Sequence, residues 1–204
     1  MNTEMPKLMI DDSENDGKAE IVMDYVLSWC LRRASVICAN EKPVLYKYCR
    51  NMLGILLQIN IDDSIIFKSV KVWKEEFRID LWVEVVIEKE NKEEKHAILI
   101  ENKYYSGLHE TRDKDKKYRN QLEVYKRRFN EYYDNLSEVY ELHYVLITCI
   151  ARNDPKFKIY DIAKSFGFSI FSFYELLGEE REYEESESDL FNEFWIRWKK
   201  IICE

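Results

Sequence analysis

Three residues near the middle of the chain carry chemistry in their types and spacing. Asp80 lies early in the segment RIDLWVEVVIE, and Glu101 and Lys103 end the segment HAILIENK. In the first segment Ile79, Leu81, Val83, Val85 and Ile87 fall on one face and Asp80, Trp82 and Glu84 on the other, the period of a strand. The polar run between the segments, KENKEEK at 89–95, reads as a turn, so the two strands form an antiparallel hairpin. Pairing centred between Asn91 and Lys92 sets Asp80 across from Lys103 and Glu101 across from Trp82. Glu101 and Lys103 are two apart and share a side; a one-residue slip would reverse the face of a whole strand. Two carboxylates and an ammonium meeting at strand ends suit a hard divalent cation, because Mg²⁺ takes oxygen ligands and keeps several waters. Asp80 and Glu101 are the candidate ligands, with the peptide carbonyl of Asn102 as a further one. Such an ion lowers the pKa of its bound water, and Lys103 would orient that water or offset developing negative charge. An E-x-K triplet alone is common in charged proteins. Here an apolar strand runs into it, which a solvated strand end does not require.

The elements that must position these groups follow from periodicity. Ile21, Tyr25, Val26, Trp29 and Cys30 repeat at helical spacing over 20–33. A second helix starts at Pro43, with a stripe of Leu45, Tyr48, Met52, Ile55 and Leu56. Ile66, Val70 and Val72 then alternate as a strand ahead of the hairpin. Tyr118, Leu122, Tyr125, Phe129 and Tyr132 predict a helix from about Lys114 to Tyr133. Two more strands, 144–150 and 168–173, precede a last helix carrying Leu190, Phe191, Phe194, Trp195, Trp198 and Ile202. The order predicts an α/β (α+β) domain over 17–204, a mixed central sheet flanked by helices, after a loose segment 1–16.

Composition bounds the rest. The chain has 204 residues, enough for one domain with a real core, and its 46% hydrophobic content argues against disorder. No apolar run reaches the roughly 18 residues of a membrane span, and the acidic N-terminus lacks signal-peptide features. A cytoplasmic protein is expected. Cys30, Cys38, Cys49, Cys149 and Cys203 are odd in number and lack CxxC spacing, so they read as reduced thiols. His96, His109 and His143 are scattered and read as lone surface or edge residues rather than a metal site. The net charge of -8 speaks at first against nucleic acid, yet residues 175–190 alone carry -7. Between His109 and Arg128 the balance is +4, and Arg112, Lys114, Lys116, Lys117 and Arg119 form a basic strip just past the ENK strand. Nucleic acid is expected to approach that strip and to avoid the acidic segment.

RID at 78–80, ILIENK at 98–103 and QLEVY at 121–125 together resemble the PD-(D/E)xK nuclease superfamily, in the branch with the pattern R-I-D, I-E-N-K, Q-L-x-x-Y. The resemblance spans roughly residues 20–175; Ile79 replaces the proline of the superfamily's name, as is common in this branch. It implies a restriction-endonuclease-like core and Mg²⁺-dependent phosphodiester hydrolysis, with Mn²⁺ as a substitute ion. The implied substrate is DNA, in restriction, repair or defence. Asp80 and Glu101 would hold the metal, Lys103 would be the catalytic lysine, and Gln121 would point back to the site. Glu20, entering the first long helix, resembles the acidic residue that often joins the metal there. Glu75 and Glu76 are weaker candidates, and Tyr125 reads as helix packing. Many nucleases of the superfamily act as dimers, so a homodimer is compatible. The alternative is a non-cleaving member of the fold, serving as a binding or regulatory subunit.

Overall fold

The computed structural model describes residues 16–104, 106–112, 117–150, 158–178 and 184–197. Two helices, α1 (Asp16–Arg33) and α2 (Pro43–Leu57), come first. Strands β1 (Ile65–Lys74), β2 (Leu81–Lys89) and β3 (Lys92–Lys103) follow as an antiparallel meander. A small hairpin of β4 (Glu110–Arg112) and β5 (Tyr118–Asn120) leads into α3 (Gln121–Asp134). Strand β6 (Glu141–Thr148), helix α4 (Lys158–Ser165) and strand β7 (Ser169–Ser172) come next. The last described helix, α5 (Asp189–Phe191), continues as a wider π-helical turn over Asn192–Arg197.

The main sheet has the order β1-β2-β3-β6-β7, and β3-β6 and β6-β7 are parallel. The architecture is therefore mixed α+β, a five-stranded mixed sheet flanked by helices. Parallel neighbours need a crossover, and α3 and α4 supply the two required. Both sheet faces are covered. On one, Met23, Leu27 and Leu31 of α1 and Met52 and Leu56 of α2 pack on Leu81, Val83, Ile98, Ile100, Val145 and Ile147, with Phe191, Phe194 and Trp195 completing the layer. On the other, Leu122, Phe129 and Tyr133 of α3 and Ile159 and Tyr160 of α4 pack on Trp82, Ala97, Leu99 and Leu146. The polar handle of Trp82 is satisfied inside this layer: its indole N–H donates to the Tyr133 hydroxyl at 2.7 Å.

Several expectations shift by small amounts for physical reasons. The hairpin turns on Glu90 and Asn91, both at positive φ (51° and 63°), and Lys89 faces Lys92. The turn centre thus lies one residue earlier than expected, so Trp82 pairs with Leu99 and not with Glu101. Moving the centre by one moves every partner by two, which leaves each side chain on its expected face. Ile79 does not share the face of Leu81. Glu75, Phe77 and Arg78 all take positive φ (58°, 52° and 70°), and this kink turns Ile79 into the α3 layer. In β1 a bulge between Phe67 and Ser69 shifts the inward residues from Ile65 and Phe67 to Val70 and Val72, and Ile66 is only partly buried. Helix α1 is rotated from the expected stripe. Ile21 and Tyr25 are 51% and 62% exposed, and Met23, Val26, Leu27, Cys30 and Leu31 face inward. Helix α3 starts at Gln121 and not near Lys114, because Tyr118–Asn120 is extended; Tyr118 is exposed and outside the helical stripe. In the last helix Phe191, Phe194 and Trp195 are buried and Leu190 is exposed. Trp198, Ile202, Cys203 and residues 1–15 lie outside the described residues. Cys30, Cys38, Cys49 and Cys149 are free thiols. No helix among the described residues is long and apolar enough to cross a membrane.

Candidate metal centre

The C-terminal end of β3 is where the two helical layers come closest to one another's charged groups. Glu101 and Lys103 continue the face of Ala97 and Leu99 toward α3, and Asn102 continues the face of Ile98 and Ile100 toward α1. All three are almost wholly buried. Lys103 Nζ donates to Glu101 Oε1 at 2.7 Å, and Gln121 Nε2, from the first residue of α3, donates to the same oxygen. Glu101 Oε2 is buried, beside the Asp80 carboxyl group. Asp80, just before β2, accepts the Asn102 backbone N–H on Oδ2 at 2.8 Å. The shifted register explains this bond: extending it places Asp80 beside Glu101, one residue from the N–H it receives.

Helix α1 closes the other side. Glu20 Oε1 accepts the Tyr104 backbone N–H at 2.9 Å and the Ser106 hydroxyl. One turn later, Asp24 Oδ1 accepts the Asn102 side-chain N–H at 2.6 Å. Asp24 is 7% exposed and was not among the residues singled out from the sequence. It was missed because the inward stripe of α1 was placed one face over. The signal was present: Met23, Val26, Leu27, Cys30 and Leu31 also form a helical stripe, and Asp24 lies at its edge, four residues after Glu20.

The titration behaviour follows from four carboxyl groups crowded around one ammonium. Burial, then the neighbouring Asp80, raise Asp24 to about 7. Burial likewise raises Asp80, although Lys103 and the Asn102 N–H pull the other way. Burial and Asp80 raise Glu101 well above the ordinary carboxylate range. Burial works against the Lys103 ammonium, but Glu101, Asp80 and Glu20 outweigh it and the net shift is upward. These carboxyl groups favour the ammonium form of Lys103. The cluster gathers four carboxyl groups around Lys103, with Lys74 acting on Asp24, and among the described residues the buried Asn102 Oδ1 has no hydrogen-bond partner. All the donors are hard oxygens. That set fits a Mg²⁺-class ion, with Asp80 and Glu101 as ligands and Glu20 and Asp24 beside them. Asn102, whose carbonyl was the further expected ligand, is held through its backbone N–H by Asp80 and through its side-chain N–H by Asp24.

No family model, curated protein or solved structure matches the chain.

Gln121 joins the centre to the neighbouring hairpin. Its Oε1 accepts the His109 N–H at 2.9 Å, and its own N–H donates to the His109 carbonyl at 3.0 Å. Arg112 and Lys117 are exposed on that hairpin, and the Arg112 guanidinium lies 5.2 Å from the Tyr118 ring centre. Arg119 forms an ion pair with Glu123 at 2.8 Å. Lys114 and Lys116 lie outside the described residues. The cations further along α3 have internal work: Lys126 donates to the Phe166 carbonyl, Arg127 pairs with Glu131, and Arg128 donates to the Phe77 carbonyl. The basic strip is thus concentrated in the hairpin. Tyr125 packs under the site in the α3 layer; burial first, then Glu101 and Asp80, raise its phenol. Glu75 and Glu76 stay exposed on the kinked loop.

Proposed function

We propose that the chain is a metal-dependent nuclease of the PD-(D/E)xK type that hydrolyses phosphodiester bonds in DNA. The observation that carries this reading is the setting of Glu101: one carboxyl oxygen is held by both Lys103 and Gln121, and the other is buried beside the Asp80 carboxyl group. Two carboxyl groups buried side by side repel each other when ionised, and a bound cation would offset that repulsion.

Asp80 and Glu101 would hold Mg²⁺, which when bound supplies Lewis acidity and an acidified water. The remaining roles belong to the chain. Lys103, held as an ammonium by Glu101, Asp80 and Glu20, offsets the negative charge that builds on the phosphoryl oxygens as the water attacks. Gln121 fixes the Glu101 rotamer, so the other oxygen keeps its direction. Arg112 and Lys117 hold flanking phosphates. The RID, IENK and QLxxY resemblance supports the same assignment of roles.

The test is direct. Purified protein with Mg²⁺ or Mn²⁺ cuts or nicks DNA, and Glu101→Gln and Lys103→Met each lower the rate by at least about 100-fold while circular dichroism stays unchanged. Cleavage surviving both substitutions would assign the activity elsewhere. No Mg²⁺ or Mn²⁺ uptake by calorimetry, even with DNA present, would favour a non-cleaving binding subunit.

A further inference from the structure

The parallel pairing of β3 with β6 brings together two histidines that are 47 positions apart. His96 on β3 faces Glu141 on β6 in the ladder, and His143 stands two residues further along β6. The same sheet face thus carries Glu94 and His96 on one strand and Glu141 and His143 on the next. His96 Nδ1 and His143 Nε2 are 3.1 Å apart. The Glu141 carboxylate lies 3.7 Å from His96 Nδ1 and 3.8 Å from His143 Nε2. This group lies on the sheet face opposite Glu101 and roughly 17 Å back along β3, counting five residues of strand rise. It is therefore independent of the carboxylate cluster.

We propose that His96, His143 and Glu141 form a second metal site, selective for a zinc-class ion. The geometry is close to what such an ion needs. Metal–nitrogen bonds of ~2.0–2.1 Å at a tetrahedral angle put two ligand atoms about 3.4 Å apart; here one ligand atom from each residue lies within 4.8 Å of the other two, and the two ring nitrogens are already within hydrogen-bond distance. Two imidazoles with one carboxylate favour zinc-class ions over Mg²⁺, which takes oxygen.

His96 supplies the independent sign. Its side chain is 3% exposed, and its other ring nitrogen, Nε2, is buried without a hydrogen-bond partner. That nitrogen lies 3.7 Å from the exposed Glu94 carboxylate. A small turn of Glu94 would let it accept the N–H and fix the ring with Nδ1 toward the ion, the usual support for a metal-bound histidine. An open cavity of about 420 Å³, bordered by Glu93, Glu94, Glu138 and Glu141 among others, adjoins the cluster and gives the ion an entry path and room for a water as fourth ligand. The bound ion would clasp β3 to β6, the pair that joins the antiparallel and parallel parts of the sheet.

The experiment is a Co²⁺ titration of chelator-treated full-length protein, read by the intense visible absorption of four-coordinate cobalt. The expected result is saturation at one equivalent, reversal by Zn²⁺ but not by excess Mg²⁺, and a melting temperature raised by about 5 °C when Zn²⁺ is saturating. Glu141→Gln, at a side chain 69% exposed and safe for folding, weakens the affinity by at least about tenfold. His143→Gln abolishes the band, and Glu101→Gln retains it, which separates this site from the proposed nuclease centre. Absence of the band in the wild-type protein, or its persistence in both Glu141→Gln and His143→Gln, would overturn the proposal.

Discussion

Asp24 shows how much a single buried acid decides. Its carboxyl ordinarily titrates near 3.8 and is raised to about 7 here, so the folded protein holds this proton more tightly than the unfolded chain does. The sign follows from linkage: the contribution is fully present below about pH 4 and is lost as pH rises to about 7. Without divalent ions, the fold is expected to lose on the order of 4 kcal/mol across that window from Asp24 alone. Urea unfolding with chelator, repeated at several pH values, measures this. Asp24→Asn flattens the curve and makes the metal-free protein more stable at pH 8 by about 2–3 kcal/mol. The asparagine can still accept the Asn102 N–H through its oxygen, so the packing is kept. The same substitution weakens Mg²⁺ binding by at least about tenfold. A stabilised variant that binds its ion less well is the signature of charge repulsion maintained for function. An Asp24→Asn protein that is less stable at pH 8 would instead make Asp24 a structural hydrogen-bond acceptor.

The hairpin governs the site at the scale of elements. Its two central residues, Glu90 and Asn91, both sit at positive φ, where a non-glycine residue pays a steric cost. Replacing them with Asn-Gly is expected to raise stability by about 1 kcal/mol, a gain of ~2–4 °C in melting temperature. Metal affinity should not move, because the register is unchanged. Glutamate at such a position is also why the turn centre was misjudged from sequence by one residue. The error was harmless to the chemistry because period-two side chains keep their face under a two-residue change of partner. Asp80, Glu101 and Lys103 could be placed near one another for that reason, since each lies in or next to a strongly patterned strand, whereas Gln121 was named only through the resemblance. Asp24 was not legible, because α1 has apolar residues on most of its circumference, including Ile21, Val22, Met23, Tyr25, Val26 and Leu27. Its true face is chosen by packing on β1 and α2. The His96–His143 pair was illegible for a different reason. It depends on a parallel pairing across a whole crossover, which no local pattern encodes.

Charge is spread unevenly along the chain. Residues 175–190 carry -7 of the net -8, so the rest of the chain is close to neutral. Three of the described acids of that segment have structural partners. Glu187 accepts the Val44 and Leu45 N–H groups at the start of α2, Glu185 pairs with Arg197, and Glu175 closes a capping box with Ser172. Glu187 anchors the C-terminal part of the chain to α2, and the basic hairpin of β4 and β5 is joined to α3. A bound DNA backbone would accordingly be held by few cations, those near Gln121, and not by a broad positive field. This makes a quantitative demand on the salt dependence of binding. Each phosphate contact contributes about 0.9 to the slope of log affinity against log salt on duplex DNA. Replacing Arg112 and Lys117 together with glutamine should lower that slope by about 2 and weaken binding similarly on every sequence. Fluorescence anisotropy with catalytically silent Glu101→Gln protein, in Ca²⁺ and at stepped salt, measures both quantities. An unchanged slope would remove the hairpin from the phosphate path and leave the carboxylate cluster to be reached from another side.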